Sequence, residues 1–223
     1  MRLIQNLLFA LAVCGLTSLA SATPTAPKEG TEYLTLAQVQ PTDAGNKVEV
    51  TEFFSYACPH CYAYDPILTE WVKKNAGKIV FKRVHVGFHP AEQALQRTYL
   101  TLEVMGQTEL YHQKLFVAIH KEHQRLTTKE ALFEWLGKNG ADVNKFNEVY
   151  GAFSAPTLVN RAQGKVRDYK IEQWPMVAVG GHYLTSPYHA GQGIAPGSDE
   201  ETQQKASLQV LDFLIAKAQA EKK

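Results

Sequence analysis

Cysteine is scarce in this 223-residue chain: it has three, Cys14, Cys58 and Cys61. An excess of charge is also missing, with 23 Lys+Arg against 22 Asp+Glu, and no internal repeat is visible. Past Leu19 no second apolar run approaches the roughly 20 residues that span a bilayer. The balanced charge removes the basis for binding a phosphate backbone, so no nucleic acid is expected. The closing Glu221-Lys222-Lys223 is a solvated tail and not a basic arm. The missing repeat excludes a solenoid.

The chain begins with Arg2, an apolar run from Leu3 to Leu19 broken by Gln5 and Asn6, and Ala20-Ser21-Ala22 before Thr23-Pro24. This is the pattern of a secretory signal with a small-residue cleavage site, and cleavage is expected after Ala22. Leu11-Ala12-Val13-Cys14 partly imitates a lipid-attachment box, but Val13 stands where a small residue is needed. Cleavage removes Cys14 and leaves two cysteines, both in Cys58-Pro59-His60-Cys61. A bridge across so short a loop constrains little of the unfolded chain, so structural stapling explains it poorly. Chemistry explains it better. Structural zinc usually draws on two such pairs, and there is no second one. His85 and His89 flank Gly87, where the strand ends, and so lack helical ligand spacing. No metal and no cofactor is expected.

Hydrophobic spacing divides the chain. Residues 23–30 read as a frayed leader, and Tyr33–Leu36 as an edge strand. Asn46–Ser55, with Val48, Val50, Phe53 and Phe54, predicts a central strand buried on both faces. From Pro59 to Asn75 the spacing of Tyr62, Ile67, Leu68, Trp71 and Val72 predicts a helix that Pro66 should bend. Lys78–Val86 returns as a strand parallel to the first, completing a βαβ unit. Five helices then follow, at 91–105, 108–120, 128–139, 143–153 and 156–167, with Thr127 and Glu130 at capping-box spacing. Gly106 and Gly140 end helices, and Pro156 starts one. This block needs its apolar residues for packing and is read as having no chemistry of its own. Met176–Val179, Gly180-Gly181 and His182–Thr185 form a hairpin signature, and a last helix runs from Glu200 to Lys217. The expected fold class is α/β, a mixed central sheet with an inserted all-helical subdomain. The expected organisation is a signal at 1–22, a first sheet part at 23–89, a helical insertion at 90–168, and a second sheet part at 169–223.

Cysteines three apart at a helix start suit thiol-disulfide exchange, which needs a thiolate attacker and a second thiol within reach to resolve the mixed disulfide. Cys58 lies at the positive helix end, where free backbone N–H groups favour a thiolate. Cys61 follows one turn later, on the same side and deeper. Pro59 stiffens the turn, and His60 puts an imidazole beside the exposed sulfur.

Glu52-Phe53-Phe54-Ser55-Tyr56-Ala57-Cys58-Pro59-His60-Cys61 resembles the DsbA family of periplasmic disulfide oxidases, which have a thioredoxin fold with a helical insertion. The likeness extends to Pro175-Met176-Val177-Ala178-Val179-Gly180-Gly181-His182-Tyr183, where the family has a cis-proline opening a hairpin. The resemblance implies that Cys58 attacks, Cys61 resolves and His60 tunes the redox poise. It implies that Pro175, in cis, presents backbone to the substrate, and that Glu52 is a buried proton carrier for Cys61. It also implies a periplasmic location, reduced unfolded secreted proteins as clients, and a quinone-linked membrane reoxidase of the DsbB type. Trp174 departs from the family, which usually has a smaller residue before this proline, and so bears on potential or substrate binding. Ala155-Pro156-Thr157-Leu158 imitates a proline loop, but no strand or hairpin follows. An isomerase or reductase would share the two-cysteine centre. The related isomerases add an N-terminal dimerisation domain, and about 35 residues between Ala22 and Cys58 are too few for one, so a monomer is expected. A third reading is a non-catalytic periplasmic protein that binds peptides or metal beside Cys58.

Overall fold

The computed structural model describes residues 26–222; the expected signal segment and Cys14 lie outside them. Among the described residues, no helix is long and apolar enough to cross a membrane. The sheet grows around β2 (Val48–Phe54), whose seven residues are all buried. Helix α1 (Pro59–Asn75) carries the chain back over the sheet to β3 (Ile79–His85), which pairs parallel with β2 from Val48↔Ile79 to Phe54↔His85. The helix passes through Pro66 without interruption.

On the other side of β2 lies β4 (Met176–Val179), antiparallel to it, then β5 (Tyr183–Thr185) and the short edge β1 (Leu34–Thr35). The mixed sheet has the order β1-β5-β4-β2-β3. The expected hairpin turn falls at Gly180 and Gly181, with φ of 62° and 70°. Both values are left-handed, the geometry of a tight primed turn. A Cβ on Gly181 would collide with the carbonyl oxygen of Gln40.

Two hydrophobic clusters fill the space around the sheet. Val48, Val50, Val177 and Val179 pack with Tyr64, Leu68 and Trp71 of α1 and with Leu211, Leu214 and Ile215 of α8 (Glu200–Glu221). The other cluster joins Phe53, Phe54, Met176 and Ala178 to the helical block between β3 and β4. That block comprises α2 (Pro90–Val104), α3 (Thr108–His120), α4 (Lys129–Lys138), α5 (Val143–Gly151) and α6 (Ala155–Asp168). Thus Ala155-Pro156 begins a helix, as the absence of a following strand required.

Three local expectations need correction. The cap of α4 is Thr128, whose Oγ accepts from the Ala131 N–H at 3.3 Å. Glu130 is therefore one position early for the expected capping box. The edge strand shrinks to two residues. A five-residue helix, α7 (Pro187–Gly191), capped by Ser186, stands where no element was expected.

Candidate active site

Cys58 is the residue immediately before α1, with extended backbone, and Pro59 occupies the first turn, where its missing N–H costs nothing. The Cys61 N–H points back and donates to Cys58 Sγ at 3.4 Å. The Ser55 carbonyl accepts from the Cys58 N–H at 3.1 Å, fixing the turn between strand and helix. Cys58 keeps an accessible edge at 9 %, whereas Cys61 is at 0 %. Both are free thiols.

Their surroundings drive the two thiols apart. Cys58 is lowered from 9.0 to about 7, chiefly by the hydrogen bond from the Cys61 side chain. The helix-start N–H groups and His60 add to this, and burial opposes it. Cys61 is raised well above its ordinary value, first by burial and then by its hydrogen bond to Cys58 and the charge there. The more accessible sulfur is therefore the one favoured as a thiolate.

The Trp174–Pro175 bond is cis and precedes β4, so the hairpin strand delivers this loop to Cys58. The Trp174 carbonyl oxygen lies 3.7 Å from Cys58 Sγ. Pro175 is buried, and the half-buried Trp174 ring stacks on exposed Phe88, centroids 5.4 Å apart at 13°. Beside the proline loop opens a cavity of about 320 Å³ lined by His60, Trp174, Pro175, Pro187, Tyr188 and Glu200, among others. The unexpected α7 supplies Pro187 and Tyr188.

Glu52, 1 % exposed, does not reach solvent from its strand. Burial pushes its carboxyl up to about 7, against the pull of Arg83, whose Nε donates to it at 2.9 Å. Its charge is felt at Cys61. Arg83 also reaches Asp65 Oδ1 at 3.1 Å, and the same oxygen accepts from His112 Nε2 at 2.9 Å. Burial disfavours the His112 cation, so the neutral ring donates at Nε2 and accepts at Nδ1 from the Tyr56 hydroxyl, 2.9 Å away. Tyr56 is held twice more. Its N–H donates to His85 Nε2 at 3.1 Å, and its carbonyl accepts from His120 Nε2 at 2.8 Å. Three histidines thus fix the residue two positions before Cys58.

The structure brings Cys58, Pro59, His60, Cys61, Trp174 and Pro175 together, with Glu52 buried on the strand that leads to them. Sequence reasoning missed Arg83, Asp65, His112 and Tyr56. Arg83 carries a signal in hindsight: it breaks an apolar strand and falls in register opposite Glu52. Asp65 lies one helical turn after Cys61. His112 has no local signal, because only packing of the helical block brings it there.

A family model described as a DSBA-like thioredoxin domain matches residues 49–209, a span that contains all of these groups. The chain belongs to that family. It is 37 % identical over 213 residues to the thiol:disulfide interchange protein DsbA of Bordetella parapertussis, covering 96 % of each chain. It is 36 % identical over 222 residues to the protein of that name from Burkholderia cepacia, covering 99 % of each. The crystal structure of Pseudomonas aeruginosa DsbA superposes with a TM-score of 0.78 at 31 % identity, covering 87 % of this chain and 95 % of that one. The fold is the thioredoxin-like DsbA fold, and the protein is a thiol:disulfide oxidoreductase.

Proposed function

We propose that the protein is a periplasmic disulfide donor that passes the Cys58–Cys61 disulfide to reduced, newly exported proteins. The observation that carries this direction is the opposed pair of thiols. Stabilising the Cys58 thiolate stabilises the reduced enzyme, which shifts its disulfide in the oxidising direction.

In the forward reaction a client thiolate attacks Cys58 Sγ, and the Cys58–Cys61 bond breaks. Cys61 leaves with the electron pair and takes up a proton, for which Glu52 is the nearby carrier. A second client thiolate then attacks the client sulfur of the mixed disulfide. The client disulfide forms, Cys58 leaves as the stabilised thiolate, and two electrons have moved from client to enzyme. His60 tunes the Cys58 charge, Pro59 stiffens the turn, and Pro175 with Trp174 presents backbone and ring surface to the client segment.

The same proposal includes cleavage of the signal at 1–22, a sheet domain at 23–89 and 169–223, and a helical insertion at 90–168. It includes a monomer in the periplasm, reoxidised by a quinone-linked membrane partner of the DsbB type. With Cys61 replaced by Ser and Cys58 charged as a mixed disulfide with glutathione, the thiolate of a reduced single-thiol client should attack Cys58 Sγ, release glutathione and leave a covalent Cys58–client complex. Replacing both cysteines with Ser should abolish oxidation. Oxidation surviving in the double variant would remove the proposal, and peptide holding as the sole activity of the wild type would favour a binding protein instead.

A further inference from the structure

His60 is an exposed member of the two-cysteine motif, yet it is not free. Its Nδ1 lies 2.8 Å from Glu200 Oε1, a residue 140 positions later in the chain. Glu200 is the first residue of α8, whose N-cap Asp199 accepts from the Thr202 N–H at 2.8 Å. A helix N-terminus favours a carboxylate in its first turn, which is where Glu200 lies. Its Oε1 also accepts from Nε2 of Gln204, a buried residue that anchors the carboxylate from one turn below. Of the titratable groups that face His60, Cys58 belongs to its own loop, Tyr188 comes from α7 and Glu200 from α8.

We propose that Glu200 is a positioning residue: it holds His60 as an oriented imidazolium beside Cys58 and so sets the oxidising strength of the cysteine pair. The proposal rests on Cys58 being the nucleophile. An unpartnered histidine has an ordinary pKa of about 6.5 and is mostly neutral at neutral pH. The Glu200 bond raises that value and so favours the charged ring. The positive charge acts in turn on the Cys58 sulfur. Side-chain exposures of 67 % and 47 % leave the pair in high dielectric, so the effect is modest. His60 bonds Glu200 through Nδ1, and its charge acts on Cys58.

The test compares the Cys58 thiolate titration, followed by thiolate absorbance, with the glutathione equilibrium constant, in wild type, Glu200→Gln, His60→Ala and the double variant. Glu200→Gln should raise the Cys58 midpoint by about half a unit, about threefold in the thiolate-to-thiol ratio, and make the enzyme a weaker oxidant. In the His60→Ala background the same substitution should have no such effect. A Glu200→Gln midpoint that does not move, or that moves equally without His60, overturns the proposal. The midpoint reads the His60 linkage whichever way electrons flow. A wild-type potential in the reductase range would therefore remove the donor function alone.

Discussion

Cys58 and Cys61 are the same side chain three residues apart, and only their surroundings lower one thiol and raise the other. Because the Cys61 hydrogen bond is the largest influence on Cys58, iodoacetamide should modify Cys58 alone with a midpoint near pH 7. Cys61→Ala should move that midpoint upward. Cys58 is lowered in the folded reduced protein from 9.0 to about 7. Its contribution to the stability of that form is therefore full above pH 9 and disappears as pH falls through 7. Glu52 has the opposite sign. Its value rises from 4.5 to about 7, so its ionisation costs the fold most above pH 7 and nothing below 4.5. A carboxyl that titrates near neutrality is suited to proton transfer. Glu52→Gln should remove a limb near pH 7 from the pH profile of client oxidation and slow turnover by about 10²-fold at most. An unchanged profile would leave Glu52 a purely structural partner of Arg83.

Between elements, α3 does more than fill space. His112 and His120 from this helix hold the side chain and carbonyl of Tyr56, so the helical block helps to fix the loop that carries Cys58. Tyr56→Phe leaves the buried His112 Nδ1 without its donor and should cost about 1–3 kcal/mol in urea denaturation. A loss near zero would mean that the loop is held without this bond. This contact explains where sequence reading stops. β2, α1, β3 and the Gly180-Gly181 hairpin were legible because their periodicity, turn glycines and first-turn proline are local signals. α7 was not, since five residues are too few to show a period. The α4 cap was displaced because Thr127 and Thr128 offer the same hydroxyl at adjacent positions. The chemistry of the site was legible at Cys58 to Cys61. The Arg83, Asp65 and His112 groups around Glu52 were not, because three separate elements bring them together.

Across the whole molecule, the parallel β2-β3 pair, the hairpin and α8 converge on one end of the sheet. There Cys58, a proline loop and a groove lie side by side. Trp174 lines this groove, and its ring is backed by the stacked Phe88. The central claim is that the folded protein holds its reduced form more tightly than its disulfide. The reduction potential of the Cys58/Cys61 pair tests it, measured by equilibrating the purified protein in glutathione buffers and counting free thiols. A value well above roughly −200 mV is expected of a disulfide donor, whereas one near about −270 mV would contradict the account and indicate a reductase.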